Sequence, residues 1–245
     1  MRVRAVICDV YQTILAVGPP PADAEARWAE LWHRVGQRTP PLDQATLRMA
    51  CAAIVQREHA AARARGIAFP EVVWPAVVSE ALPEMAEWGG AAREEFIFGL
   101  AGLSHAVSLA PGAAETLRWL VTRGVTLGIA SNAQSYTLRE LAACLAPAGL
   151  SLEIFEPTLR FWSFEHGFSK PEPHAFRLLT ARLLARGIAP AEVLMVGDRL
   201  DNDIAPARAQ GWQIWQLSRV PGIAEGGDWP ALAARLATTD FFRSS

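Results

Sequence analysis

The sequence has little of what a cross-linked, membrane-spanning or nucleic-acid-binding protein relies on. Cysteine is scarce: Cys8, Cys51 and Cys144 are the three present, odd in number, far apart and without a Cys-x-x-Cys pair. That argues against a disulfide framework and a zinc site, and a reducing cytoplasm is the expected compartment. A basic excess is also missing. Lys and Arg number 23 against 25 Asp and Glu, a net charge of -2, so no nucleic-acid partner is expected. A local basic pocket for a small anionic substrate remains compatible with this balance. No uncharged apolar stretch reaches the ~18 residues of a membrane helix, so no membrane partner is expected. The apolar run at the start is cut by Asp9, too early for the core of a signal peptide. No repeat and no low-complexity linker interrupts the chain.

What is present is apolar residue in quantity. Of 245 residues, 51% are hydrophobic and 20% charged, enough for a packed core and, at this length, for one large domain or a core with an insert. Val3 to Val10 is a short, nearly all-apolar run with β-branched residues, the pattern of a strand buried on both faces of a parallel sheet. After Pro19-Pro20-Pro21 the character changes. Trp28, Leu31, Trp32 and Val35 recur at helical spacing, as do Leu47, Cys51, Ile54 and Val55 in a segment ending at Gly66. Pro70 to Met85 and Arg93 to Leu103 continue the helical pattern.

From about Ser104 strands and helices alternate. Helices are expected from Pro111-Gly112 to about Arg123, from Tyr136 to Leu145, from Pro173 to Arg186 and from Ile204 to Gln210. Strands are expected at Val125–Ala130, Thr158–Trp162, Val193–Val196 and Trp212–Leu217. This rhythm predicts an α/β fold: a Rossmann-like parallel sheet with helices on both faces. The all-helical stretch, residues 16–105, is expected as an inserted cap domain on a core of 1–15 and 106–245. Parallel sheets bind ligands beyond the carboxyl ends of their strands. Asp9, Ser131-Asn132 and Asp198 all fall at such ends, so three strands should deliver them to one edge.

Those residue types point to phosphoryl transfer. Asp9, Asp198 and Asp203 form a converging carboxylate set that cannot stay fully ionised without a cation. Mg²⁺ suits oxygen ligands whose shell a phosphate completes. Ser131 and Asn132 supply donors for an anion. Lys170, in Ser169-Lys170-Pro171-Glu172-Pro173, adds positive charge on a loop stiffened by two prolines. A carboxylate can attack while cation and lysine absorb negative charge.

Four segments in order carry a family resemblance: Asp9-Val10-Tyr11-Gln12-Thr13, Ile129-Ala130-Ser131-Asn132, Glu165 to Pro173 around Lys170, and Val196-Gly197-Asp198-Arg199-Leu200-Asp201-Asn202-Asp203-Ile204. Together they resemble the haloacid dehalogenase-like (HAD) superfamily, in the subfamily whose helical cap lies between the first two motifs. The resemblance spans nearly the whole chain. It implies Asp9 as nucleophile, Ser131 as phosphoryl-binding, Lys170 as charge-steadying, and Asp9, Asp198, Asp203 and the Tyr11 main-chain carbonyl as metal ligands.

One departure bears on the reaction. Where family phosphatases have a second Asp as general acid and base, this chain has Tyr11. A phenol with a pKa near ~10 is a poor base at neutral pH, and losing a general acid-base costs about 10²–10⁴-fold. Family dehalogenases carry Tyr at this position because halide leaves without a proton, but they continue with Gly where this chain has Gln12, and they lack the metal-binding fourth motif. Three readings stay open: a Mg²⁺-dependent phosphatase of a small phosphorylated metabolite, a 2-haloacid dehalogenase-type hydrolase, and a weakly active or non-catalytic member that binds a phospho-ligand or a protein.

Blander expectations apply elsewhere. Thr13 is expected to satisfy backbone groups at its turn, and Asp201 to be a solvated loop residue. Most of the nine tryptophans belong to packing, with Trp28, Trp32, Trp74 and Trp88 as weak candidates for the cap's inner face. Arg34 and Arg38 are weak candidates for gripping a substrate carboxylate. His166 and His174 read as surface residues and Cys8 as a small core residue.

Overall fold

The computed structural model describes residues 2–218 and 222–238. The chain begins with β1 (Ala5–Cys8), turns, and forms β2 (Leu15–Gly18). Four helices follow: α1 (Ala24–Leu31), α2 (Gln44–Ala64), α3 (Trp74–Ala81) and α4 (Gly90–Ser104). Next come β3 (Ala106–Leu109), α5 (Ala113–Thr122), β4 (Thr126–Ser131), α6 (Ser135–Leu145), β5 (Phe155–Trp162), the short α7 (Ser163–His166), α8 (Pro173–Ala185), β6 (Val193–Gly197), α9 (Ala205–Ala209), β7 (Gln213–Leu217), β8 (Gly226–Gly227) and α10 (Trp229–Thr238).

Local chemistry sets several of these boundaries. Asp43 caps α2, its carboxylate accepting from Thr46 N at 2.6 Å, which satisfies a donor the helix leaves open. Pro173 opens α8 at a position where its missing N–H is not needed. The helix expected from Pro70 starts only at Trp74. The preceding residues are extended because their main chain bonds elsewhere: Phe69 O accepts from Ser169 N, and Glu71 N donates to Gly167 O.

The six-stranded sheet has the order β5-β4-β1-β6-β7-β8, and all its pairings are parallel. The chain builds outward from β1 to one side through β4 and β5, then to the other through β6, β7 and β8. A crevice therefore opens at the carboxyl end of β1, where the order reverses. β1 is buried throughout, and its residues alternate between the two faces as pleating requires. Val6 and Cys8 join Leu117, Leu141 and Trp229 on one face. Ala5 and Ile7 join Phe176, Leu179 and Trp212 on the other. Helices thus cover both faces, as expected for an α/β parallel sheet.

The four-helix stretch has a core of its own. Trp28, Trp32, Leu47, Val78, Met85, Phe96 and Ile97 form a separate buried cluster. Trp32 meets Phe96 edge-on at 5.1 Å and Trp88 at 5.4 Å between ring centroids, a preferred geometry for aromatic pairs. Two antiparallel strands, β2 and β3, pair Leu15 with Leu109 and Gly18 with Ala106, closing the polypeptide at the base of this helical block. No helix among the described residues is long and apolar enough to cross a membrane.

Candidate active site

Asp9 follows β1 directly, and its N–H donates to Val196 O of β6 at 2.9 Å. That bond locks the start of the turn to the neighbouring strand. The next strands deliver the other groups. Ser131 ends β4. Asp198 follows β6. Asp203 lies in the irregular helical turn Leu200–Ile204 that leads into α9. Gly197 makes room for it: a Cβ there would meet the Asp203 carboxylate at 2.5 Å, so a side chain cannot stand there without displacing Asp203.

Lys170 ties the set together. Its ammonium donates to Asp9 Oδ1 at 2.8 Å and to Asp203 Oδ1 at 2.5 Å. Asp203 Oδ2 accepts from Arg199 N at 3.1 Å. Asp9, Lys170 and Asp203 are 7%, 3% and 1% exposed, so these charges are held away from water by mutual pairing. Carboxylate oxygens of Asp9, Asp198 and Asp203 lie within 4.8 Å of one another. Burial pushes the Asp9 carboxyl up to about 6, with Lys170 pulling it down and Asp203 and Asp198 pushing it further up. Burial and the Asp203 charge also raise Asp198. Burial works against the charge on Lys170, yet Asp9 and Asp203 outweigh it and hold its pKa above the ordinary value. A cluster in which carboxylates are driven toward protonation fits a hard divalent cation, whose charge would remove that penalty.

The fit to an anion rests on a different observation. Ser131 is fully buried, and its Oγ has no hydrogen-bond partner among the described residues. Buried hydroxyls are nearly always paired, so one that is not points to a ligand. Thr13 Oγ1 is in the same condition, contrary to the expectation that it satisfies turn backbone. It is the Thr13 carbonyl that is engaged, accepting from Trp229 Nε1 at 3.0 Å. Asn132 is used on the protein itself: its Nδ2 donates to Lys170 O at 2.9 Å and its Oδ1 accepts from Lys170 N at 2.7 Å. It holds the lysine loop against the end of β4. Asp198, Gln12 and Thr13 line a cavity of about 640 Å³, together with Ser218, Asp228 and Trp229.

Tyr11 is turned toward α6. Its hydroxyl donates to Glu140 Oε2 at 2.5 Å and lies 2.8 Å from Thr137 Oγ1. Glu140 Oε1 is in turn 2.9 Å from His105 Nε2. Burial first, and then the Glu140 hydrogen bond, push the phenol well above its ordinary pKa, so it remains a neutral hydroxyl engaged by a carboxylate. Gln12 stands at φ +58°, in the left-handed region that favours glycine.

Glu140, His105, Glu71, Gln134 and Ser163 were not singled out from sequence. A Glu on the apolar face of α6, beside Thr137 and Leu141, was the available signal for Glu140. Glu71 carries no such signal. The weaker candidates settle elsewhere: Trp28 and Trp32 pack inside the helical block, Arg34 pairs with Glu95 at 2.8 Å, and Asp201 pairs with Arg199 at 2.7 Å on the surface. His166 stacks on Phe161 at 4.7 Å. The three cysteines are free and Cys8 is buried.

Comparison with known proteins identifies the family and the fold. Residues 3–211 match the pattern of a hydrolase family described as haloacid dehalogenase-like hydrolase. A phosphoserine phosphatase of Thermus thermophilus is 29% identical over 174 residues, 61% of this chain and 64% of that protein. The chain thus matches less than two thirds of that relative's length. Among solved structures, the 2-haloacid dehalogenase of Pseudomonas syringae superposes with a TM-score of 0.59 at 21% identity, over 95% of this chain and 99% of that one. The HAD phosphatase of Thermococcus onnurineus gives 0.54 at 19% identity, over 99% and 100%. At these identities the structural likeness is one of fold.

Proposed function

We propose, from the premise that the chain belongs to the haloacid dehalogenase-like hydrolase family, that it is a Mg²⁺-dependent phosphatase acting on a small phosphorylated metabolite in a reducing cytoplasm. The observation that carries this reading is the cluster of Asp9, Asp198 and Asp203 within 4.8 Å of one another, with Lys170 bonded to two of them. The helical block is then a cap domain (16–105) over a core of 1–15 and 106–245.

Asp9 attacks phosphorus, the bond to the leaving oxygen breaks, and water then hydrolyses the aspartyl-phosphate. Asp9, Asp198, Asp203 and the Tyr11 carbonyl would hold Mg²⁺, which when bound neutralises charge on the phosphoryl oxygens. Ser131 Oγ donates to a non-bridging oxygen. Lys170 keeps Asp9 ionised and offsets charge as it shifts from carboxylate to phosphoryl group. Asn132 fixes Lys170 by its main chain. Tyr11, held by Glu140, supplies no efficient general acid, so turnover is slow or confined to leaving groups that need little protonation. Phosphate release from p-nitrophenyl phosphate, with Mg²⁺ and with EDTA, tests this: metal-dependent release that disappears in Asp198→Asn and rises in Tyr11→Asp supports it, and release indifferent to metal and to Asp198 overturns it.

Tyr11 favours a second reading, a 2-haloacid dehalogenase-type hydrolase in which Asp9 forms an ester with carbon and halide departs without a proton. Chloride release from 2-chloropropionate in EDTA would establish it. Absence of chloride release alongside phosphate turnover would dismiss it.

A further inference from the structure

We propose that Glu71, carried by the helical block, is a positioning residue that sets where Ser131 and Lys170 stand at the sheet edge. The inference rests on the reading of those two residues as the anion-holding pair. It starts from a segment that is neither helix nor solvated loop. Between α2 and α3, Phe69 O accepts from Ser169 N at 2.8 Å and Glu71 N donates to Gly167 O at 3.0 Å, with Pro70 bridged antiparallel to Phe168. The helical block thus adds a short extended strap to the residues immediately before Lys170.

The Glu71 side chain reaches the other half of the pair. Its Oε1 accepts from Gln134 Nε2 at 3.1 Å and from Val72 N at 3.0 Å. Its Oε2 accepts from Ser163 Oγ at 2.7 Å, and that oxygen accepts from Ala133 N at 2.9 Å. Gln134 returns to the strap: its Nε2 donates to Val72 O at 2.8 Å and its Oε1 accepts from Trp74 N at 2.8 Å. Ala133 and Gln134 are two and three residues past Ser131, and Asn132, between Ser131 and Ala133, bonds both main-chain groups of Lys170.

The bonds close a ring that runs Ser131, Asn132, Lys170, Ser169, Phe69, Glu71, Ser163, Ala133. Every link inside the sheet domain is main chain or a short neutral side chain, and the one ionisable carboxylate in the ring comes from the helical block. Hydrogen bonds to a charged acceptor are the stronger kind, and loops that carry anion donors need support of this sort to hold productive geometry. Removing the carboxylate takes the shared acceptor from Ser163 and Gln134, leaves Ser163 Oγ to turn to Ala133 O at 3.2 Å, and leaves the two Asn132–Lys170 bonds to hold the Ser131 and Lys170 loops without that brace. A displacement of about 1 Å in a reacting group can cost up to about 10²-fold in rate.

The test compares wild type, Glu71→Ala, Glu71→Gln and Ser163→Ala with Mg²⁺ present, by kcat and KM for p-nitrophenyl phosphate, by calorimetric affinity for inorganic phosphate, and by melting temperature. Expected is a kcat loss of about 10- to 100-fold in Glu71→Ala per folded molecule, weaker phosphate binding, a smaller loss in Ser163→Ala, and substantial recovery in Glu71→Gln, which keeps an acceptor for Gln134. Ser163→Ala keeps the question open to measurement should Glu71→Ala not fold. Wild-type kcat and phosphate affinity in Glu71→Ala overturn the proposal, as does a Glu71→Gln variant as impaired as the alanine. If wild type binds phosphate but does not turn over, the phosphatase reading fails alone and Glu71 is judged by phosphate affinity. Wild type that does neither overturns both.

Discussion

At the carboxyl edge of the sheet the buried side chains are Asp9, Ser131, Lys170 and Asp203; in the helical block the equally buried ones are Trp28, Trp32, Met85 and Phe96. The first group spends folding energy, because charges taken from water regain only part of their solvation by pairing. The second supplies it, since burying each large apolar side chain stabilises by about 1.5–3 kcal/mol. The aromatic block and the two apolar faces of the sheet stabilise the fold that keeps the costly edge in place. Glu71 apart, stability and chemistry therefore fall to different regions, and substitutions should reveal the division.

The largest effect should come from Asp9→Asn: activity falls by about 10⁴-fold or more, while the melting temperature at neutral pH stays level or rises, because one of the crowded carboxylates is gone and Lys170 keeps Asp203. A drop in melting temperature would erase the contrast between the regions. Trp32→Ala should do the reverse, destabilising by about 3–5 kcal/mol in urea titrations, with kcat per folded molecule little changed. A pH series sharpens the comparison. Asp9 is held at about 6 in the folded chain against an ordinary 3.8, so its contribution to stability is full below the ordinary value and is lost as pH rises through about 6. In EDTA, wild type should lose stability between those values relative to Asp9→Asn, and added Mg²⁺ should restore it. The smallest effect is expected at Gln12, at φ +58°. Gln12→Gly should stabilise by roughly 1 kcal/mol through relief of the left-handed backbone, visible as a higher melting temperature.

The parts of the molecule that could be read in the sequence are those whose signal is local. β1 and β6 announce themselves as apolar runs ending in Asp9 and Gly197-Asp198, and Lys170 by its flanking prolines. The β2–β3 ribbon could not be read this way, because Leu15 pairs with Leu109 across the whole helical block that lies between them in sequence. Glu71 and Glu140 are ordinary acidic residues until tertiary structure brings Ser163 to one and Tyr11 to the other. Extended residues before Trp74 defeated the helical spacing expected from Pro70, since main-chain bonds to Gly167 and Ser169 outweigh local preference.

Lys170 has one more property: it is the only lysine in the sequence, every other member of the 23 Lys and Arg being arginine. An ammonium is a compact point charge that fits between two carboxylates, where a planar guanidinium would need a wider gap. Apart from the α-amine, the chain therefore carries one primary amine, enclosed at 3% exposure. Acylation by an amine-reactive reagent becomes a clock for the opening of this edge. Its rate reports how often Lys170 leaves its two carboxylates, with no label or engineered residue required.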